Sequence, residues 1–250
     1  MRQSIKSYNT PGEPSNPNDA LPVGSPFFKN AAVMVDGEFF LKRLEFLKGS
    51  QNAENAVRTL AAICREHVNR VNRNLYRVFF YDCEPFSKKL FNPISKRTID
   101  YGKSSVFTFR TELHNLLRHE RKFALRLGKL RDDQDCRWVI SKGKMNALIR
   151  GEISLSELQE EDLMPNLRQK QVDQKIGLDI ASLAYKHLVD TIILISGDAD
   201  FVPVAKLARR EGIDFILDPM RARIQPDLYE HIDGCHSVIK APKNRRSKKT

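Results

Sequence analysis

Two continuous apolar runs constrain the fold of this chain more than any other sequence feature. Residues 31–35 (AAVMV) and 191–195 (TIILI) show no alternation of polar and apolar residues, which is typical of strands buried on both faces of a parallel sheet. Further strands are predicted at 78–81, 123–127, 138–140 and 213–217. The chain therefore contains the strands of a sheet that is covered on both sides.

Amphipathic segments separate these strands. Residues 51–72 carry one apolar stripe at a spacing of 3.6 residues, which predicts a helix. Other helices are predicted at 105–119, 152–163 (capped by Ser154 or Ser156), 173–188 and 201–210 (ended by Gly212). Strands that alternate with helices indicate right-handed βαβ units. The predicted fold class is therefore α/β, a three-layer α/β/α Rossmann-like domain with a mostly parallel sheet.

The composition of the 250 residues indicates one folded domain with two tails. We predict a disordered tail at 1–26, which is rich in Pro and Gly between positions 11 and 26, a domain at 27–240 and a basic tail at 241–250. The four cysteines contain no CxxC pair, which excludes a disulfide scaffold and a cysteine zinc ribbon. No apolar run approaches the roughly 18 residues of a membrane helix, and no secretory signal is found. We expect a cytoplasmic protein without a membrane partner.

The net charge of +11 is concentrated in two places. Residues 86–131, which we regard as a basic insertion segment, contain twelve Lys and Arg but only three acids, and residues 240–250 add six more cations without an acid. A basic segment on an otherwise acidic body predicts a polyanionic partner, here a nucleic acid; a solvated helix face with a disordered tail is the alternative. The candidate backbone contacts are Lys88, Lys89, Arg110, Arg118, Arg121 and Lys122. Self-association into a homo-oligomer is left open.

Acidic residues follow both of the apolar runs. Asp36 comes directly after the first run, and Asp198 and Asp200 come shortly after the second. The carboxyl ends of parallel strands form the ligand-binding crevice of an open α/β sheet, and Gly37 and Gly197 allow sharp turns there. If the two strands are neighbours, three carboxylates meet, and a hard cation such as Mg²⁺ or Mn²⁺ relieves their repulsion. Taken singly, Asp36 before Gly37 is typical of a turn, and Asp200 is typical of a helix N-cap.

A fourth acid lies at the start of the helix that precedes the second run. Asp173 shares a face with Ile176, Gly177 and Ile180, so it lies at the end of the stripe that packs on the sheet. Asp179 lies away from that face, where it either supports the site or belongs to the helix surface. Ser196 is a further supporting residue; without an evident histidine base it does not indicate acyl transfer.

These motifs together resemble the NYN family, in its LabA/DUF88-like branch of the PIN-like metal-dependent ribonucleases. The resemblance covers residues 30–240 and rests on VMVDGE (33–38), KQVD (170–173) and ISGDADFVP (195–203), with YD (81–82) and RLG (126–128) in support. It implies a PIN-like fold, RNA as the substrate (single-stranded or structured), and catalytic, metal-binding roles for Asp36, Asp173, Asp198 and Asp200 with Mg²⁺ or Mn²⁺. Two positions depart from the family pattern: Phe39 replaces an Asn, and Gln171 replaces a Gly.

The function that follows is metal-dependent hydrolysis of RNA phosphodiester bonds. A cation on the four aspartates would activate water and stabilise the scissile phosphate, and the basic segment would guide the RNA backbone. Two alternatives remain. One is a non-catalytic RNA-binding or scaffold protein whose pocket is silenced by Phe39, and the other is a structure-specific DNA nuclease.

Overall fold

The computed structural model describes residues 30–132 and 137–240. The predicted tails at 1–26 and 241–250 lie outside the described residues, as does Cys136. The strands are β1 (Asn30–Asp36), β2 (Asn74–Cys83), β3 (Lys89–Asn92), β4 (Arg97–Asp100), β5 (Phe123–Asp132), β6 (Trp138–Ile140), β7 (Leu163–Pro165), β8 (Leu167–Lys170), β9 (Thr191–Ile195), β10 (Asp214–Asp218) and β11 (Gly234–Cys235). The helices are α1 (Gly37–Lys48), α2 (Ala53–Arg70), α3 (Ser105–His119), α4 (Lys142–Ile149), α5 (Val172–Tyr185), α6 (Val202–Arg210) and α7 (Pro226–Glu230).

Seven strands form the central sheet, in the order β11-β10-β9-β1-β2-β5-β8. Every neighbouring pair is parallel except β5 and β8, which are antiparallel. Two small antiparallel ribbons, β3–β4 and β6–β7, lie outside this sheet. The mostly parallel sheet of the prediction is confirmed.

Alternate residues of the central strands pack in two separate hydrophobic cores, one on each face of the sheet. On one face, Val33, Val35 and Phe80 pack with α1, α2 and α3. On the other face, Met34 and Tyr81 pack with α5 and α6. Because β1 is covered on both sides, all its residues from 31 to 35 have no solvent-exposed surface, which explains the run without alternation. The three-layer α/β/α architecture is confirmed.

Helix α1 was not predicted, because Asp36-Gly37 was interpreted as a turn. Asp36 is instead the N-cap of this helix, and Phe40, Leu44 and Leu47 are buried along one side of it. The spacing of these apolar residues is helical. A chain that passes from β1 into α1 without a loop keeps Asp36 at the junction of the two elements.

The helix predicted at 152–163 is wrong. Two single 3₁₀ turns, Leu155–Glu157 and Glu160–Asp162, occupy this segment. Ser154 does begin the first turn, where its amide donates to Glu157 Oε2 at 2.7 Å. Leu155 remains 72% exposed, so the segment has no apolar stripe whose burial would stabilise a longer helix.

The stop predicted after the helix at 201–210 is confirmed. Gly212 follows α6 with φ of +78°, and its amide donates to the Arg209 carbonyl. This left-handed conformation favours glycine. None of the helices in the described part of the chain is both long and apolar enough to cross a membrane.

Candidate active site

The two strands that precede the acidic motifs are neighbours. β1 and β9 pair in parallel, with Val35 opposite Ile195. Asp36, the last residue of β1, and Ser196, the first residue after β9, therefore lie at the same end of the parallel strands. We call this end the carboxyl edge of the sheet. This adjacency is the condition on which the predicted acidic site depends.

Asp36 is held in a fixed orientation. Its Oδ1 accepts a hydrogen bond from the Phe39 amide at 3.1 Å, and its Oδ2 accepts one from the Ser196 hydroxyl at 3.3 Å. Burial, with smaller contributions from Asp173 and Glu38, raises the pKa of Asp36 from 3.8 to about 6. The charged form is therefore destabilised until a cation or a proton compensates it.

The two glycines of these motifs are required by close contacts and not by turn conformation. Neither has a positive φ, which corrects the prediction of sharp turns. A Cβ on Gly37 would lie 2.5 Å from the Tyr81 carbonyl oxygen, and a Cβ on Gly197 would lie 2.8 Å from Phe39 Cε2. The glycines allow the elements around the site to approach one another.

Asp173 lies in the first turn of α5. Partial burial raises its pKa, followed in size by the carboxylates of Asp198, Asp200 and Glu38. The pKa of Asp173 is thus raised both by Glu38 of α1 and by the two acids that follow β9. The fold brings residues from β1, α5 and the segment after β9 into electrostatic range of one another.

The backbone conformation at position 171 explains why the NYN motif has a Gly there. Gln171, which replaces that Gly, is the N-cap residue of α5 and has φ of +71°. A non-glycine residue is strained in this left-handed conformation. The strain lies two residues from Asp173, at the start of the helix that positions this carboxylate.

Asp198 and Asp200 lie together on an exposed turn after β9. The Asp198 side chain caps the 3₁₀ turn Ala199–Phe201 and accepts from the Asp200 amide at 3.0 Å. Phe201, not Asp200, precedes α6 and offers no side-chain cap. The reading of Asp200 as an ordinary N-cap is therefore wrong, and its carboxylate stays at the mouth of the site.

Glu38 is a fifth acid that the sequence reasoning did not select. It lies in the first turn of α1, pairs with Lys42, and contributes to the raised pKa values of Asp36 and Asp173. Its signal in the sequence was its place two residues after Asp36 on a helix. Because α1 was not predicted, its direction toward the site could not be predicted either.

The carboxylates of the site are chemically suited to a hard divalent cation, since carboxylate oxygens are the ligands that Mg²⁺ and Mn²⁺ prefer. The site is nevertheless open: within the described residues, no three of these carboxylates bring their oxygens within 4.8 Å of one another. The described trio whose ligand atoms do lie this close is Asp227 and Glu230 of α7 with His231, which follows that helix.

Phe39 occupies the space between the two acidic motifs. Its ring lies against Gly197 and packs partly into the core beneath α1. An Asn here would present an amide near Asp36 and Asp198, whereas Phe presents an aromatic edge. The departure from the family motif therefore lies in the site itself.

Of the two supporting residues, Ser196 lies in the site and Asp179 does not contact it. The buried Ser196 hydroxyl bonds Asp36, and the Asp198 amide donates to it at 3.4 Å. Asp179 accepts from Tyr81 at 2.8 Å and from Arg126 at 3.1 Å. Asp179 thus fastens α5 to β2 and β5, about 9 Å along the helix from Asp173.

The candidate RNA contacts are divided between opposite edges of the sheet. Arg118, Arg121 and Lys122 lie where α3 ends and β5 begins, and the Lys122 amine donates to the Leu75 carbonyl at the start of β2. The strands are parallel, so this is the edge away from the acids. These three residues lie away from the acids, and their role in guiding the RNA backbone stays a prediction.

The other three candidates lie near the carboxyl edge. Arg110 donates to the buried Asp82, whose other oxygen lies 2.8 Å from His114 Nε2. Lys89 lies 3.7 Å from Asp100 and is largely exposed, and Lys88 precedes it on the same segment. Arg110 is thus engaged in holding α3 to β2, whereas Lys88 and Lys89 lie in an exposed segment.

Comparison with protein families agrees with the motifs of the C-terminal half. The NYN domain matches residues 145–226, about a third of the chain, which includes Asp173, Asp198 and Asp200 but not Asp36. A crystal structure of a protein of unknown function from Vibrio parahaemolyticus is similar, with 14% identity, a TM-score of 0.48, and coverage of 87% of this chain and 97% of that chain. A search of curated proteins gave no match. The LabA/DUF88 branch stays a prediction.

Proposed function

Because this chain carries an NYN domain, and NYN is a PIN-like nuclease family, we propose that it is a metal-dependent ribonuclease that hydrolyses RNA phosphodiester bonds. The observation that supports this is the meeting of Asp36, Asp173, Asp198 and Asp200 at one sheet edge. They come from three elements, and the pKa of Asp173 is raised by partial burial and, to a smaller extent, by the carboxylates of Asp198 and Asp200. Such mutual perturbation is typical of functional sites.

The four aspartates would hold Mg²⁺ or Mn²⁺, which supplies Lewis-acid assistance to a water nucleophile and to the scissile phosphate. The chain's own groups prepare this site. Ser196 and the Phe39 amide orient Asp36, and the Asp200 amide orients Asp198. Because Asp198 and Asp200 are exposed, their side chains can turn inward when a cation compensates the repulsion.

The test is cleavage of a labelled single-stranded RNA by the purified full chain with Mn²⁺, repeated with EDTA and with Asp198→Asn. We expect cleavage by the wild type and a loss of at least about 100-fold in both controls, since removing a charged group that stabilises a reacting phosphate costs this order of rate. Asn keeps the cap on the Asp200 amide, so the variant is expected to fold.

Asp227→Asn is the matched control, because it removes a carboxylate from the α7 trio that also brings ligand atoms together. Its activity should equal that of the wild type. Cleavage that survives EDTA or Asp198→Asn would contradict the proposal. A DNA strand of the same sequence at equal salt distinguishes an RNase from a DNA nuclease.

A second candidate, a non-catalytic RNA-binding protein, is favoured by the Phe39 ring against Gly197. In that case the wild type binds RNA and leaves it intact with every metal tried. Phe39→Asn then becomes the informative variant. Cleavage by Phe39→Asn but not by the wild type would support a silenced nuclease pocket, whereas equal cleavage by both proteins would exclude it.

A further inference from the structure

Strand β5 extends beyond the carboxyl edge of the parallel strands. β1 ends at Asp36, opposite Tyr81, and β2 ends two residues later at Cys83, opposite Gly128. Residues 129–132 of β5 continue past both ends and pair only with β8. They form an antiparallel ribbon that overhangs the edge where the aspartates lie.

Like charges face each other directly across this ribbon. Lys129 pairs with Lys170, and Arg131 pairs with Arg168. Residues directly opposite share a face, and so do residues two apart along a strand. The four cations therefore lie on one face of the ribbon, and all four are exposed. We call Lys129, Arg131, Arg168 and Lys170 the basic ladder.

The opposite face of the ribbon accounts for its stability. Leu130 packs with the core beneath α5, and Gln169 is its cross-strand partner. The apolar contact of Leu130 fixes the register, since a slip by one residue would turn the cations toward the core. The ladder is therefore held rigidly on the side that faces away from α5.

Cross-strand pairs of like charge destabilise a sheet. Among the residues that the structure describes, Lys129, Arg131 and Lys170 have no ion-pair partner. Two consecutive like-charged pairs on one exposed face are a poor arrangement for stability alone. They are well explained by a polyanion that binds across them.

The ladder lies close to the acidic site along the chain. Lys170 ends β8, and Asp173 follows three residues later in the first turn of α5, a chain distance of at most about 10 Å. Cations on one strand repeat at about 6.8 Å. This spacing suits the successive phosphates of an extended single strand.

We propose that the basic ladder binds the phosphate backbone of single-stranded RNA and directs it toward the aspartates. This inference rests on the proposed ribonuclease function but concerns binding alone. It assigns the RNA track to the β5–β8 ribbon, and not to Arg118, Arg121 and Lys122 at the opposite edge. Phosphate contacts of this kind give affinity without sequence specificity.

The test measures binding of a labelled 20-nucleotide single-stranded RNA by fluorescence anisotropy in EDTA, across a salt series. The triple variant Lys129→Gln, Arg131→Gln, Lys170→Gln is compared with the control Arg118→Gln, Arg121→Gln, Lys122→Gln, which removes the same charge. Each phosphate contact contributes about 0.7 to the slope of log K against log salt. We expect the ladder variant to lose about 2 from this slope, and the control to lose little.

Urea unfolding of both variants separates binding from folding. Removing like charges from the ladder should leave the unfolding midpoint unchanged or raise it. Equal loss of slope in the two variants, or none in the ladder variant, would overturn the proposal. Binding of poly-glutamate but not of RNA would also overturn it and indicate an acidic protein partner.

The experiments distinguish failure of the ribonuclease proposal from failure of the binding proposal. If the wild type binds RNA through the ladder in EDTA but does not cleave it with Mn²⁺, the binding proposal holds and the ribonuclease proposal fails. If the wild type cleaves RNA but the ladder variant binds RNA as the wild type does, the ribonuclease proposal holds and the binding proposal fails.

Discussion

Asp36 is the aspartate of the site whose ionisation is most strongly coupled to folding. Its pKa is raised to about 6, mainly by burial, while its cap on α1 depends only on an oxygen that accepts from the Phe39 amide. Asparagine offers the same acceptor without the charge. Charge and cap can therefore be separated experimentally at this residue.

The pH dependence of stability follows from this shift. A carboxyl group whose folded pKa exceeds its unfolded pKa holds its proton more tightly in the folded state, so its contribution to stability is full below about pH 4. That contribution is lost as the pH rises through about 6, the value of the folded state. In EDTA at pH 7, Asp36→Asn should be more stable than the wild type by about 3 kcal/mol.

Urea midpoints between pH 4 and pH 8 measure this effect. The difference between Asp36→Asn and the wild type should close as the pH falls toward 4. Asp227→Asn, which removes an exposed carboxylate, is the matched control and should follow the wild type throughout. A constant difference between Asp36→Asn and the wild type over this range would contradict the assignment.

At the scale of elements, the placement of Asp173 depends on how α5 meets the sheet. Gly128 of β5 lies where a Cβ would approach the Lys170 carbonyl oxygen to 2.6 Å and Val172 Cγ2 to 2.8 Å. Farther along the helix, Asp179 is tied to Tyr81 and Arg126. These contacts set the distance between α5 and the sheet, and therefore between Asp173 and Asp36.

Gly128→Ala should push the start of α5 away from β5. We expect a loss of about 2 kcal/mol in unfolding free energy, typical of overpacking against backbone atoms, together with a loss of nuclease activity. Gly143→Ala in α4 is the matched control, because nothing lies within 4 Å of its Cβ position. Denaturant unfolding and RNA cleavage of the two variants provide the comparison, and equal stability would contradict it.

At the scale of the whole molecule, the site joins residues that are far apart in the chain. The aspartates come from positions 36, 173, 198 and 200, so a cation bound among them links β1, α5 and the turn after β9. Ligands that bind only the folded state stabilise it. Binding of a metal ion to the aspartates can thus be measured through the thermal stability of the protein, without a substrate.

Mn²⁺ should raise the Tm of the wild type by about 5 °C at a concentration near 100 times its dissociation constant. Asp198→Asn should lose most of this shift, because it removes one of the bridging carboxylates. Asp227→Asn should keep the shift, unless Mn²⁺ binds the α7 trio instead. Thermal unfolding with Mn²⁺ and with EDTA decides between these outcomes.

Several elements could be predicted from local signals in the amino-acid sequence. The apolar runs predicted β1 and β9, the 3.6-residue spacing predicted α2 and α3, and the acidic motifs placed Asp36 and Asp198 after their strands. Each of these signals depends on burial of a strand or a helix face, which neighbouring residues encode. Where burial was missing, as at Leu155, the same reasoning predicted a helix that does not form.

The tertiary structure alone decided which of these residues meet. The strand order places β1 beside β9 and puts Arg118, Arg121 and Lys122 at the far edge, although they belong to the same basic segment as Lys129 and Arg131. The pairing of β5 with β8 brings two distant basic segments into one ladder. Strand order and cross-strand register are set by contacts between residues far apart in sequence, and no local pattern contains them.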